Sequence, residues 1–238
     1  MAYNNLEDSE DIQVLEIRNY LLKPNLADTF SQYFHSKFVE SMKELGGYTL
    51  GEFKIDSLND RFVWLRGFKD MDTRVKFLND FYCESIAWKE NGKAANEMMI
   101  NSDNVYLLKP LNNNNLKTNK SFTVIDFYIC NSTIEQVIKL FDAEYKPFLK
   151  TINITDISFW ISEMKENDFP RLPVFQDKNL LVSITHFEDK DDYEAKQKAI
   201  DGMSSSLNFS IQQLVTIHHK LLLLNQQTNN QRTKNDAN

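Results

Sequence analysis

The sequence predicts an α+β fold made of two βαββαβ repeats whose antiparallel sheets face each other. Three observations support this. The chain has 238 residues, enough for two small domains, and an asparagine-rich run divides it near the middle. Each half repeats one order of apolar strand patterns and helical stripes. Strands such as FVWLRGF are apolar on both faces, so each sheet needs cover on the side opposite its helices.

Changes in composition along the chain predict the domain boundaries. We expect a first domain at 12–110, an asparagine-rich linker at 111–120 and a second, degenerate domain at 121–224. The linker and the two ends, 1–11 and 225–238, are polar and lack hydrophobic periodicity. The two ends are therefore predicted to be disordered.

The first repeat opens with a strand-like run, IQVLEIRNYLL at 12–22, and Asn25 is the candidate N-cap of the helix that follows. The apolar stripe of that helix consists of Leu26, Phe30, Phe34, Phe38, Met42 and Leu45. Gly46 and Gly47 then favour its termination. The remaining elements are strands at 48–55 and 61–68, a helix from about Asp70, an irregular stretch, and a strand at 105–110.

The second repeat follows the same order. Its predicted elements are a strand at 122–129, a helix carrying Ile134, Val137, Ile138, Phe141, Tyr145 and Phe148, strands at 155–162 and 180–187, a helix at 188–200, and a strand at 219–224. Because consecutive repeats usually pack together, we expect the two sheets to cover each other.

Several separated segments of the first half occur in the order found in one protein family. They are LEIRNYLLKPN (15–25), FVWLRGFKDMDTR (62–74), FY (81–82), WK (88–89), AAN (94–96) and SDNVYLLKP (102–110). These segments resemble the NIPSNAP family of the dimeric α+β barrel superfamily. The resemblance implies ferredoxin-like halves forming a dimeric α/β barrel, here in a tandem two-repeat form. It implies no settled reaction, since superfamily relatives include cofactor-independent monooxygenases and haem-degrading enzymes.

Strand alternation predicts a candidate ligand site on one face of the first sheet. Glu16, Arg18 and Tyr20 share a face of the first strand, and Phe62, Trp64, Arg66 and Phe68 share a face of the third. If these faces coincide, Arg18 and Arg66 lie together among aromatic rings. Two guanidiniums on such a floor suit an anionic group attached to a planar or apolar body. The alternatives are internal pairing of the arginines with Glu16, Glu52 or Asp103, and exposure of the arginines to solvent.

Three further candidates come from the resemblance, since the segment after the second helix can cap the pocket in this superfamily. They are Trp88, Lys89 and Asn96. Trp88 is equally well explained as a core aromatic residue, and Asn96 as a turn or cap residue.

The second half lacks these candidates at the aligned positions. It has Thr185 for Arg66, Ser183 for Trp64, Tyr128 for Arg18 and Cys130 for Tyr20. We therefore expect one site per chain, with the second half acting mainly as a structural partner.

Several function classes are disfavoured. A net charge of −7 argues against a nucleic-acid binder, and no apolar run reaches the roughly 20 residues of a membrane span. Nucleotide-binding and zinc motifs are absent, and the histidines (His35, His186, His218 and His219) form no evident ligand set, so we expect neither metal nor cofactor. Two cysteines, Cys83 and Cys130, and an acidic N-terminal segment without signal-peptide features indicate a cytoplasmic protein.

The sequence thus predicts a protein that binds a small, partly apolar anionic metabolite in the first half. A cofactor-independent enzyme is one form of this hypothesis, with no catalytic residue assigned. The alternative is a non-catalytic binding or interaction protein with a purely structural barrel, and haem handling is a minor alternative. Homodimerisation is left open.

Overall fold

The computed structural model describes residues 12–111, 116 and 120–226, and every structural statement below concerns these residues. The predicted disorder at 1–11 and at 227–238 lies outside them. So does most of the predicted linker.

The described residues form nine strands and seven helices. The strands are β1 (Val14–Leu22), β2 (Tyr48–Ile55), β3 (Arg61–Phe68), β4 (Met99–Asn101), β5 (Val105–Pro110), β6 (Phe122–Cys130), β7 (Ile157–Ser162), β8 (Leu180–Phe187) and β9 (Val215–Asn225). The helices are α1 (Ala27–Glu44), α2 (Met71–Asn79), α3 (Ile86–Met98), α4 (Ile134–Leu140), α5 (Lys146–Thr151), α6 (Lys190–Asp201) and α7 (Ser205–Leu214). A π-helical turn follows α2 (Asp80–Glu84) and another follows α4 (Phe141–Tyr145).

Eight of the strands form a closed antiparallel ring within one chain. The order is β3-β2-β9-β6-β8-β7-β5-β1, the pairing of β1 with β3 closes the ring, and β4 extends β1. The two repeats are joined twice, by β2 with β9 and by β5 with β7. The predicted α+β fold of two facing ferredoxin-like sheets is therefore confirmed, and no second copy is needed to close the barrel.

The barrel interior is a packed apolar core to which both repeats contribute. Its members include Leu15, Ile17, Val63 and Leu65 from the first repeat and Ile125, Phe127, Trp160, Val182 and Ile184 from the second. Because side chains alternate along a strand, the residues between them lie on the outer face, under the helices. Glu16 and Arg18 consequently lie beneath α1, α2 and α3, outside the barrel.

Helix α1 buries the predicted stripe of Phe30, Phe34, Phe38 and Met42 against the first sheet. Gly46 follows it with a φ of 85°, the left-handed conformation that glycine adopts without steric cost. The prediction of Asn25 as N-cap is wrong. Leu26 occupies that position without a side-chain cap, and Asn25 adopts a φ of 62°, which asparagine tolerates.

Two helices fall in stretches that the sequence patterns leave unassigned. Helix α3 replaces the predicted irregular stretch, and its only fully buried residues are Gly92 and Ala95. Helix α7 buries only Leu207. The sequence does mark the start of both helices by a serine N-cap. Ser85 accepts a hydrogen bond from the Trp88 amide, and Ser204 accepts one from the Leu207 amide. Strand β9 also extends to Asn225, one residue beyond the predicted domain end.

Candidate functional site

The pairing of β1 with β3 brings the predicted polar faces together. Arg18 lies opposite Trp64, and Glu16 lies opposite Arg66. Strand alternation therefore correctly predicts that these polar side chains share one face of the sheet.

Glu16 is the centre of a buried ion cluster. Its Oε2 accepts hydrogen bonds from Arg66 Nε at 2.8 Å and Arg18 NH1 at 3.0 Å, and its Oε1 accepts one from Arg74 Nε at 2.8 Å. All four side chains, hereafter the Glu16 cluster, are at most 1 % exposed. The first and third strands thus supply three members, and α2 supplies Arg74.

The Glu16 cluster carries excess positive charge. Burial raises the pKa of Glu16, but Arg66, Arg18 and Arg74 outweigh that effect, so its pKa lies well below the usual range and Glu16 is ionised. One carboxylate then faces three guanidiniums, which leaves a formal charge of +2. Among the described residues, Glu16 is the only acidic side chain within ion-pair distance of these arginines.

Internal pairing of the arginines is therefore observed with Glu16. Glu52 Oε1 lies 2.8 Å from His35 Nδ1 and accepts a hydrogen bond when that nitrogen carries a proton. Arg66 is fully enclosed. Its guanidinium carbon lies 5.0 Å from the Trp64 ring centroid and 5.4 Å from that of Phe68, and its NH1 donates to Tyr82 Oη at 3.3 Å.

A cavity of about 260 Å³ lies between the first sheet and its helices, and is called the first-half cavity below. Its lining is mainly aromatic, with Tyr20, Phe30, Phe34, Phe38, Trp64, Phe81, Tyr82, Trp88 and Phe169. Its polar and charged lining residues include Arg18, Asn96, Ser102 and Arg171.

Five predicted site residues line this cavity: Arg18, Tyr20, Trp64, Trp88 and Asn96. Arg66 and Phe68 are packed behind its wall, both with no exposed surface. Lys89 does not belong to the lining, and its ammonium lies 3.4 Å from a Glu84 carboxylate oxygen at the surface. Adjacent helix residues point roughly 100° apart, so Trp88 and Lys89 of α3 cannot both face the cavity.

The second repeat also contributes to the first-half cavity. Residues 163–179, between β7 and β8, form a loop that places Phe169, Arg171 and Leu172 in the lining, and this segment is called the roof loop below. Asn167 Oδ1 accepts a hydrogen bond from Arg74 NH1 at 3.0 Å, which connects the roof loop to the Glu16 cluster. The second half therefore supplies part of the wall of this cavity as well as part of the barrel.

Sequence reasoning assigned no role to Arg74, Tyr82 or Arg171. Arg74 and Tyr82 could have been predicted as site residues, because both lie in segments that carry the family resemblance. Arg171 had no comparable signal, since a loop packed against the other repeat leaves no periodic pattern.

The strand register corrects one alignment between the repeats. Phe122 pairs with Phe187 as Val14 pairs with Phe68, so Asp126 occupies the position of Arg18, and Tyr128 that of Tyr20. The predicted equivalence on β1 and β6 was thus two residues out of register, while Thr185 and Ser183 do correspond to Arg66 and Trp64. A cavity of about 100 Å³ there is lined by Asp126, Tyr128, Ser183, Thr185 and Lys220, among others.

No protein-family model matches the chain, and no curated protein matches it. Solved structures do match nearly its whole length. An anthrone oxidase-like protein gives a TM-score of 0.59 at 8 % identity, covering 91 % of this chain and 92 % of its own. A proposed monooxygenase from Fusobacterium nucleatum gives 0.55 at 11 % identity, with 90 % and 92 % covered. The chain has the dimeric α+β barrel fold.

Other solved structures with this barrel fold differ in their described roles. A heme-binding protein from Thermus thermophilus gives a TM-score of 0.54 at 9 % identity, covering 90 % of this chain and 91 % of its own. NIPSNAP proteins are also among the neighbours, as the sequence resemblance predicts. One from Agrobacterium tumefaciens covers 42 % of this chain, about one repeat, and 94 % of its own, at 15 % identity and a TM-score of 0.38. Among the described residues, none of the helices combines the length and hydrophobicity that a membrane crossing requires.

Proposed function

We propose that this barrel protein binds a small, partly apolar anion in the first-half cavity. The observation that carries the proposal is Arg18, a buried guanidinium in the wall of an aromatic cavity. Behind it stands the Glu16 cluster with its excess of two positive charges. An anion within the cavity would offset that excess in surroundings where water screens charge poorly.

The cavity size indicates the size of the ligand. A dry cavity of about 150 Å³ accommodates benzene, and drug-sized ligands occupy pockets of roughly 300–1,000 Å³. The volume of about 260 Å³ falls between these values and suits a body of one or two rings. Aromatic walls favour a planar ligand by offset or edge-to-face packing.

The alternative, a purely structural barrel, draws support from Arg66. Its pairing with Glu16 and its enclosure by aromatic rings describe a structural residue. Arg18 differs because it also lines the cavity, and one carboxylate cannot neutralise three guanidiniums. This difference favours ligand binding over a structural role alone.

An enzymatic form of the proposal draws on the neighbours described as a proposed monooxygenase and an anthrone oxidase-like protein. Arg18 would stabilise negative charge that develops on a bound substrate during cofactor-independent oxygenation or isomerisation. Haem fits the site less well, because no histidine is among the cavity-lining residues. His35, the one histidine on a first-half helix, is 58 % exposed and paired with Glu52.

We further propose a cytoplasmic location without a nucleic-acid or membrane partner, consistent with the unpaired Cys83 and Cys130. The acidic net charge agrees with that view. Light scattering after size exclusion distinguishes a particle of one chain mass from a homodimer.

Calorimetric titration with 2-naphthoate and its neutral isostere 2-naphthamide tests the proposed anion site. We expect wild type to bind the carboxylate more tightly than the amide. Arg18→Met should weaken 2-naphthoate binding about 10- to 100-fold, since a hydrogen bond or ion contact to a charged group contributes about 1.5–3 kcal/mol.

The matched control is Lys89→Met, which removes a cation outside the cavity and should leave the affinity unchanged. Arg18→Met is expected to fold, because Glu16 retains hydrogen bonds from both Arg66 and Arg74. Equal affinity of wild type for the acid and the amide, or no binding of either, would contradict the proposal.

A further inference from the structure

We infer that the hydroxyl groups of Tyr20 and Tyr82 bind the ligand directly, as a pair of donors to a carboxylate, and that arginines hold both hydroxyls in place. This inference rests on the proposed function and names the residues and the anionic group that it requires. In this arrangement Arg66 acts on the ligand through Tyr82, and Arg18 acts partly through Tyr20.

The hydroxyl oxygens of Tyr20 and Tyr82 each accept a hydrogen bond from an arginine. Arg18 Nε lies 2.8 Å from Tyr20 Oη, and Arg66 NH1 lies 3.3 Å from Tyr82 Oη. A guanidinium can only donate, so both hydroxyl oxygens are acceptors in these contacts. Each phenolic proton is therefore left for another acceptor.

The described residues supply no such acceptor. Neither Tyr20 nor Tyr82 donates a hydrogen bond to another described side chain or carbonyl, and both line the first-half cavity. Trp64 also lines the cavity and is 1 % exposed, and its indole Nε1 has no hydrogen-bond partner among the described residues. An indole N–H can only donate. These three side chains thus present donors to the cavity without an acceptor among the described residues.

The adjacent positive charges strengthen these donors. A guanidinium that donates to a phenolic oxygen polarises the O–H bond, because hydrogen bonds in a chain reinforce one another in a low-dielectric site. Burial raises the pKa of Tyr20, Arg18 lowers it and Tyr82 raises it, with a net increase, so Tyr20 stays protonated and able to donate.

This donor arrangement selects a ligand group that only accepts hydrogen bonds. An ionised carboxylate has two acceptor oxygens and no donor, so it offers one oxygen to each hydroxyl. An amide of the same shape has one carbonyl acceptor, and its NH₂ group would face further donors. The cavity should therefore distinguish a carboxylate from its amide through the tyrosines as well as through Arg18.

Three tyrosine variants titrated with 2-naphthoate and 2-naphthamide test the inference. Tyr20→Phe and Tyr82→Phe should each weaken 2-naphthoate binding about 10- to 100-fold, with a smaller loss for 2-naphthamide. The preference for the acid over the amide therefore falls in both variants. Tyr33→Phe is the matched control, because Tyr33 Oη bonds to Asn91 and does not line the cavity. Its affinity should equal that of wild type.

Tyr82→Phe keeps the test decisive if Tyr20→Phe folds poorly. Tyr20 is the acceptor for buried Arg18, whereas Tyr82 is only half-buried and accepts from Arg66, which does not line the cavity. Wild-type preference for the acid, lost in Arg18→Met but retained in Tyr82→Phe, would overturn this inference and leave the proposed function standing. Failure of wild type to prefer the acid would overturn both.

Discussion

Replacing Glu16 by glutamine is expected to lower the melting temperature by about 6–20 °C. The substitution keeps the shape of the side chain but leaves the guanidiniums of Arg18, Arg66 and Arg74 without a counter-charge. Breaking a buried ion pair by neutralising one partner costs about 3–5 kcal/mol. In a protein of this size each kcal/mol corresponds to about 2–4 °C. Thermal melts followed by circular dichroism measure the change.

Two comparisons make the Glu16→Gln result specific. Glu188→Gln removes an exposed carboxylate that lies 3.4 Å from Lys120, and should change stability by less than about 1 kcal/mol. Arg66→Leu should cost less than Glu16→Gln, because Glu16 then still accepts hydrogen bonds from Arg18 and Arg74. A Glu16→Gln protein with the melting temperature of wild type would show that the Glu16 carboxylate does not stabilise the three arginines.

The order of strands and main helices could be predicted because their burial is periodic. Strands β2, β3 and β8 have the predicted bounds, since turn-rich or polar segments interrupt the apolar alternation on both sides. Helices α3 and α7 were missed for the opposite reason. They cover their sheets with few buried side chains, so neither contains a long row of buried positions like that of α1.

Strand alternation predicted the part of the candidate site that lies on neighbouring strands, and the family resemblance added Trp88 and Asn96 of α3. Strand alternation placed Arg18, Tyr20 and Trp64 on one face without knowledge of the packing. Arg74 reaches Glu16 from a helix, and Arg171 reaches the cavity from the other repeat, and neither approach follows from local spacing. The pairing of three arginines with one carboxylate also depends on this tertiary convergence, which is why the sequence left it open.

Acid sensitivity is expected from His186, a histidine held neutral in the second repeat. It is 4 % exposed, its Nδ1 lies 2.9 Å from Thr123 Oγ1, and its Nε2 has no hydrogen-bond partner in the part of the chain that the structure describes. Burial lowers its pKa to about 4, while Asp156 raises it and Lys120 lowers it. A proton on this ring would therefore place a charge in a desolvated site.

The free energy of unfolding depends on pH because His186 has different pKa values in the folded and unfolded chain. Unfolded histidine titrates near a pKa of about 6.5, so below that pH the unfolded chain binds a proton that the folded chain binds only near pH 4. Stability from this group is intact above pH 6.5 and falls by up to about 1.4 kcal/mol per pH unit between pH 6.5 and pH 4. The full loss is about 3 kcal/mol.

Comparison of wild type with His186→Gln isolates this loss, because the other titrating groups are common to both proteins. Urea unfolding at several values between pH 7.5 and pH 4.5 should show wild type losing about 2–3 kcal/mol more than the variant as the pH falls. His35→Gln is the control of opposite sign. The hydrogen bond that His35 donates to Glu52 raises the pKa of His35 although burial lowers it, so its contribution is present in acid and lost as the pH rises. Parallel pH profiles for wild type and His186→Gln would mean that His186 takes up its proton in the folded protein without penalty.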